Sequence, residues 1–132
     1  MSFIRSKEKP PVFQACVDKF GISWNGGVIF TYGDTIHCKF RVGPQKIAHE
    51  KVHIKQQFAY GVEAWWDRYL ADEQFRLEQE LEAYKAEISW VYTKCRYIGL
   101  RARIFDAIVA DLSSFMYGKI VTPEEARKLL NL

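Results

Sequence analysis

Gly43-Pro44-Gln45-Lys46-Ile47-Ala48-His49-Glu50-Lys51-Val52-His53-Ile54-Lys55-Gln56-Gln57-Phe58-Ala59-Tyr60-Gly61 is the stretch on which the reading of this chain turns. Gly43-Pro44 closes whatever precedes it, and a proline in a first helical turn costs nothing because its missing amide has no partner there. A helix is therefore expected from about Pro44 to about Tyr60, stopping before Gly61. Residues four apart in a helix stand one turn above each other, so His49 and His53 project from one face with their rings close enough to chelate one ion. Glu50 cannot easily ligate the same ion, but its carboxylate reaches a water bound to it, which is the position of a general base. Ile47, Val52, Ile54 and Phe58 give this helix apolar surface with which to bury itself. By average residue usage, His-Glu-x-x-His arises by chance in a chain of this length with a probability on the order of a few in a thousand.

Upstream of this helix the signals are those of strands. The first eleven residues are charged and end in Pro10-Pro11, which reads as an extended arm ordered by contacts made elsewhere. Ile22 and Trp24 precede Asn25-Gly26-Gly27, and an Asn-Gly pair supplies the positive φ of a tight hairpin turn. Val28 to Tyr32 is the expected returning strand. After a second turn at Gly33-Asp34, Thr35 to Val42 alternates, with Ile36, Cys38, Phe40 and Val42 on one face and His37, Lys39 and Arg41 on the other. The expectation is a short antiparallel meander.

Downstream the period is that of helices. Val62 to Leu70, with Trp65, Trp66 and Tyr69, forms a short one whose aromatics are expected in the core. Asp72 is placed to cap a long helix running from about Glu73 into the nineties, with Phe75, Leu77, Leu81, Tyr84, Ile88 and Val91 as its buried contributors. A further helix is expected from about Leu100 to Met116, and Thr122-Pro123-Glu124-Glu125 reads as cap, first-turn proline and dipole-matched acids opening a last one. The expected fold class is α+β, in a single domain over residues 1–132 with an arm over 1–11.

Composition sets the outer limits. The chain has 132 residues, 48% of them apolar and 15% aromatic, enough for one compact core. Nineteen Lys and Arg against 16 Asp and Glu leave +3, spread along the chain, so no nucleic-acid partner is expected. Such a partner would need cations clustered with aromatics on one surface, and Arg96-Tyr97-Ile98-Gly99-Leu100-Arg101-Ala102-Arg103 is the only local hint of that. Cys16, Cys38 and Cys95 are odd in number and far apart, which suggests reduced thiols. The N-terminus lacks the apolar stretch of a signal peptide, and nothing approaches the ~20 apolar residues that span a bilayer. A cytoplasmic setting without membrane contact is the expectation.

The third metal ligand is narrowed by spacing. A metzincin plan would place Gly at 56 and His at 59, where this chain has Gln56 and Ala59, and the inverted motif His-x-x-Glu-His does not occur. The plan that remains takes a glutamate from a separate downstream helix. That helix offers Glu73, Glu78, Glu80, Glu82 and Glu87. Glu80 and Tyr84 share a face, while Glu82 points roughly 160° away from Glu80 at about 100° per residue, so only one of the two glutamates can face the metal helix.

His49-Glu50-x-x-His53-x-x-Gln56, Trp66-x-Arg68-Tyr69 and Glu80-x-Glu82-Ala83-Tyr84 together resemble small gluzincin-type zinc proteins, many of them phage or bacterial. The resemblance covers about residues 45 to 88. It implies Zn²⁺ held by His49, His53 and Glu80, with Ala83 matching the family's alanine and Glu50 as the catalytic base. Glu82 stays open as the alternative ligand. Tyr84 stands where larger gluzincins carry an aspartate that steadies a metal histidine, and a tyrosine hydroxyl can accept a histidine N–H without supplying charge.

The expected function is zinc-dependent hydrolysis of a peptide or related amide bond, with a peptide or protein as substrate, in a bacterial or phage-infected cytoplasm or a virion. The alternative is a non-catalytic phage or bacterial structural protein that keeps the motif, its metal structural or absent. Related sites accept an extended peptide on a sheet edge, and Thr35 to Val42 is the strand expected to offer it. Gln56 is placed either to bond a ligand or substrate or to tie the helix to the sheet. His37 reads as a surface residue. Tyr60, Arg68, Tyr92 and Tyr97 are candidate donors to a transition-state oxyanion.

Overall fold

A computed structural model of the chain describes residues 2–132. The expected α+β class holds: three short strands, β1 (Ile4–Ser6), β2 (Ile29–Tyr32) and β3 (Thr35–Cys38), stand beside six α-helices among the described residues. The helices are α1 (Phe13–Phe20), α2 (Pro44–Tyr60), α3 (Val62–Ala71), α4 (Glu73–Lys94), α5 (Ile98–Leu112) and α6 (Pro123–Leu130). No helix among them is long and apolar enough to cross a membrane.

The sheet differs from the expected meander. Its order is β1-β3-β2, with β2 antiparallel to β3 but β1 parallel to it, so the sheet is mixed. Within the N-terminal arm Ile4–Ser6 is extended and pairs with β3, Ile4 opposite Thr35 and Ser6 opposite His37, after which the chain bends at Lys7 and Glu8. β3 ends at Cys38 and not at Val42, and Phe40 is exposed even though Ile36, Cys38 and Val42 are buried. β2 and β3 are joined through Gly33 at φ +61°, the backbone that a glycine-first hairpin turn requires.

The segment read as a strand and hairpin around Ile22 to Gly27 is neither. Phe13, Cys16 and Phe20 recur at helical spacing and bury one face of α1, which Gly21 ends in the left-handed conformation. Trp24 then begins a single 3₁₀ turn whose entry Ser23 caps, and its ring packs edge-on against Phe13 at 5.5 Å. An Asn-Gly pair promotes a hairpin only where two strands are available to join. Here the preceding apolar residues were already committed to a helix face.

Helix boundaries downstream follow the local signals except in α5, which ends at Leu112 and not at about Met116, because Ser114 caps a separate 3₁₀ turn over Phe115–Tyr117. Pro44 opens α2, and the Asp72 carboxylate accepts the Phe75 amide at the start of α4. Thr122 and Glu125 form a reciprocal capping box on α6. α2 and α4 pack against each other over most of their length and form the platform of the site. α1, β2 and α3 share one apolar cluster containing Phe13, Phe30, Trp65 and Trp66, while α4, α5 and α6 share a second around Tyr84, Ile108 and Leu112.

Arg76 links these halves. Fully buried, it donates from Nη1 to the Tyr69 carbonyl at 2.6 Å and from Nε to the Tyr117 carbonyl at 2.9 Å. Its guanidinium also lies 4.9 Å from the centre of the Phe20 ring. Arg76→Met keeps the volume but leaves both carbonyls without a donor. Chemical denaturation of this variant is expected to show a loss of roughly 2–4 kcal/mol.

Candidate metal centre

α2 buries the polar side of its surface. His49, Glu50, His53 and Gln57 are all buried, and of its apolar residues only Ile54 is fully so, while Phe58 stays 61% exposed. A helix can bury such a face only if every polar group on it is answered.

Gln57 is answered by the sheet. Its amide donates to the Thr31 carbonyl at 2.7 Å and accepts the Gly33 amide at 2.7 Å, fixing α2 across the β2–β3 hairpin. Gln56, one residue earlier, faces α4. Its Nε2 donates to the Gln79 carbonyl and to Glu82, which turns its Oε1 toward His53 Nδ1 at 2.8 Å. The sheet-tying role considered for Gln56 therefore falls to its neighbour, and Gln56 itself holds a site histidine.

His49 is held from the same side. Its Nδ1 lies 3.1 Å from Glu87 Oε1, and Lys46 Nζ lies 3.1 Å from the other oxygen of Glu87. This corrects the reading of Tyr84. Its ring packs edge-on against His49 at 4.3 Å, but its hydroxyl pairs with that of Tyr117 at 2.7 Å. The carboxylate that steadies the histidine comes from one turn further along. Seven residues at about 100° each bring Glu87 back to within about 20° of Glu80, so its place on this face was readable from period alone.

With an acceptor facing each Nδ1, both imidazoles in their neutral form carry the proton on Nδ1 and present a bare Nε2 inward. The two Nε2 atoms lie 3.2 Å apart, and Glu80 Oε1 lies 3.2 Å from each. Glu80 is itself oriented by the Tyr69 hydroxyl, which donates to its outer oxygen at 2.6 Å. Three lone pairs thus converge from three sides with no donor among them. Tetrahedral zinc with bonds of about 2.0–2.1 Å needs donor atoms roughly 3.3 Å apart, so the observed triangle fits such an ion.

The electrostatics make the same demand. Among the described residues Glu50, Glu80 and Glu87 meet one nearby ammonium, that of Lys46, which Asp111 shares, so the site holds an excess of negative charge that a cation would offset. Without a cation the site must gather protons. Burial works against a charged His49, yet Glu50, Glu80 and Glu87 outweigh it and push its pKa up to about 10. Burial opposes a charged His53 as well, and Glu80 raises it. Burial would raise Glu80, but His53 and His49 hold it well below the usual carboxylate range.

His49, His53 and Glu80 are 3%, 5% and 3% exposed, and among the described residues they are brought together as a set that can hold a metal ion. Glu82 is not in it, being exposed and bonded to Gln56. Glu50 sits beside the triad, its Oε1 accepting the Thr31 hydroxyl at 3.1 Å and its Oε2 lying 3.6 Å from His49 Nε2. Burial raises the Glu50 pKa, and the two histidines pull against it.

A cavity of about 100 Å³ adjoins the triad, lined by Glu50, Thr31, Trp66, Tyr69, Tyr84 and Tyr117 among others. Trp65, Trp66 and Tyr69 are core residues, as expected, and line this cavity as well. Tyr60, Arg68, Tyr92 and Tyr97 do not reach it. Arg68 instead bonds Tyr60 and Asp72 on the surface. His37 is likewise remote, with its Nδ1 2.9 Å from the Glu8 carbonyl.

Because Glu87 fixes the ring and tautomer of His49, Glu87→Gln is expected to weaken metal binding by roughly 10–100-fold, measured by competition with a chromogenic chelator. Fold and site together define a helical α+β protein with a buried His/His/Glu set capable of holding a metal. No family model, curated protein or solved structure matches this chain.

Proposed function

We propose that this chain is a zinc-dependent hydrolase acting on peptide or related amide bonds, with His49, His53 and Glu80 holding the ion and Glu50 serving as the base. The observation that carries the reading is the triangle of two Nε2 atoms and Glu80 Oε1, each 3.2 Å from the others, with a buried carboxylate that ligates nothing beside it. When bound, zinc polarises a carbonyl and lowers the pKa of water to about 7.

Glu50 is suited to the proton traffic. One of its oxygens is tied down by Thr31, so the other is held on the side of the histidines. It accepts a proton from water as the hydroxyl adds to the carbonyl carbon, and returns it to the nitrogen as the C–N bond breaks. The donor to the developing oxyanion is sought in the Tyr84–Tyr117 pair. One hydroxyl donates to the other, and the second keeps its proton for a further acceptor. Burial, with Glu80 nearby, lifts both phenols well above their usual range, so they stay protonated and able to donate.

β3 cannot accept a substrate strand, because it is the central strand with β1 and β2 on either side. β2 is the edge beside the cavity. Its Thr31 carbonyl is already taken by Gln57 and Trp66, so the stretch offered to an extended peptide is Gly27 to Phe30.

The near-complete burial of the triad favours a second reading, in which the ion staples α2 to α4 without turnover. Metal analysis of protein purified without added metal, paired with turnover of a quenched-fluorescent peptide library, tests both. Stoichiometric zinc with turnover supports the hydrolase, zinc without turnover supports the staple, and no zinc at all overturns both. In either zinc-bound case a strong chelator is expected to lower the thermal midpoint, since a ligand present at 100 times its Kd contributes about 2.7 kcal/mol to the folded state.

A further inference from the structure

A second concave site lies on the far side of α2. Pro44, Ile47, Ala48 and Lys51 line it, whereas Lys46, His49, Glu50 and His53 line the cavity by the triad. At about 100° per residue the two sets occupy opposite faces of the helix. The groove measures about 660 Å³ and is completed by Phe3 and Arg5 of the arm, Arg41 to Gly43 of the β3–α2 loop, and Trp90 of α4.

Its lining holds three cations, Arg5, Arg41 and Lys51, and no carboxylate. Five cations elsewhere are engaged: Arg76 and Arg101 bond carbonyls, and Lys46, Arg68 and Arg127 bond acids. Among the described residues, none of the three in the groove forms an ion pair. Like charges gathered in a concavity repel one another until an anion joins them.

The aromatic components specify the anion further. Arg5 and Lys51 both lie over the Phe3 ring, at 5.5 and 5.6 Å, which collects the charge at one place. Among the described residues no cation lies over Trp90, which stands half-buried in the groove wall. Apart from Phe3, Arg5 and Lys51, the lining residues come from two stretches, 35–49 and 88–105, that contain no Asp or Glu, the second contributing Trp90 alone. The clustering of cations with aromatics, which the sequence hinted at only for Arg96 to Arg103, is therefore present and lies mainly elsewhere.

We propose that this groove binds single-stranded nucleic acid, with Arg5, Arg41 and Lys51 on successive phosphates and Trp90 stacked on a base. The inference reverses the expectation drawn from the spread of charge along the chain. It stands independently of the metal site, because no residue is shared between the two. A purely acidic peptide would satisfy the cations but leave the indole without a planar partner.

Fluorescence anisotropy of a labelled short oligothymidylate with the full chain is the test. Three phosphate contacts predict that log K falls with log salt at a slope of about −2. Arg5→Glu combined with Arg41→Glu, both at exposed positions, is expected to weaken binding more than ~10-fold, and Trp90→Ala roughly tenfold, with Lys55→Glu unchanged. Circular dichroism of each variant checks that it is folded. The proposal is overturned if the folded double variant binds like the parent, or if a Glu-Leu peptide of equal charge binds more tightly than the oligonucleotide.

Discussion

Glu50→Gln is expected to keep its zinc and to lose peptide turnover by roughly 10²–10⁴-fold. The amide has nearly the same shape as the carboxylate, and its oxygen can still accept the Thr31 hydroxyl, so the packing around α2 and β2 is preserved. Glu50 is also not one of the three converging donor atoms, so zinc content measured by mass spectrometry should stay at one per chain. What the amide cannot do is take a proton. The loss should fall on kcat and on kcat/KM equally, because the missing interaction operates in the transition state and not in substrate binding. A variant that turns over at the parental rate would remove Glu50 from the mechanism. A parent that holds zinc but hydrolyses nothing, with the Gln variant indistinguishable from it, would establish the staple.

The helical part of this fold was legible because its boundaries rest on local chemistry. Pro44 and Gly61 around α2, the Asp72 cap of α4 and the Thr122–Glu125 box of α6 each act within a few residues of where they stand. The sheet was less legible. Pairing of Ile4–Ser6 with β3 joins residues about thirty positions apart through a parallel register that no turn residue announces. α1 was lost because its eight residues are too short for periodicity to outweigh the neighbouring glycines. The site itself distorted the pattern of α2: its buried face carries His49, Glu50, His53 and Gln57, so the apolar residues do not mark the side that packs, and Phe58 is left outside. Glu87 and Tyr69 were missed for another reason. A search confined to the ligand and the residue four positions later overlooks the one seven later, and nothing in a run of core aromatics marks which hydroxyl will reach Glu80.

The choice between Glu80 and Glu82 yields the other large effect. Both lie on α4 and are separated by roughly 160° about its axis, so the two truncations remove carboxylates from different environments. Glu80→Ala deletes one of three donors and strands the Tyr69 hydroxyl, which loses its partner at 2.6 Å. Two histidines one turn apart are a poor zinc site by themselves, and the purified variant is expected to contain almost no zinc. It should lose turnover with it, and its thermal midpoint should no longer respond to chelator. Glu82→Ala removes an exposed carboxylate whose contact is one hydrogen bond from Gln56 at 3.2 Å. Gln56 keeps its bond to the Gln79 carbonyl, so His53 keeps its orientation and zinc content should be unchanged. The reverse result, zinc retained in Glu80→Ala and lost in Glu82→Ala, would require α4 to rotate by nearly half a turn. That rotation would carry Tyr84 and Glu87 away from His49 and expose the face that α4 packs against α5 and α6.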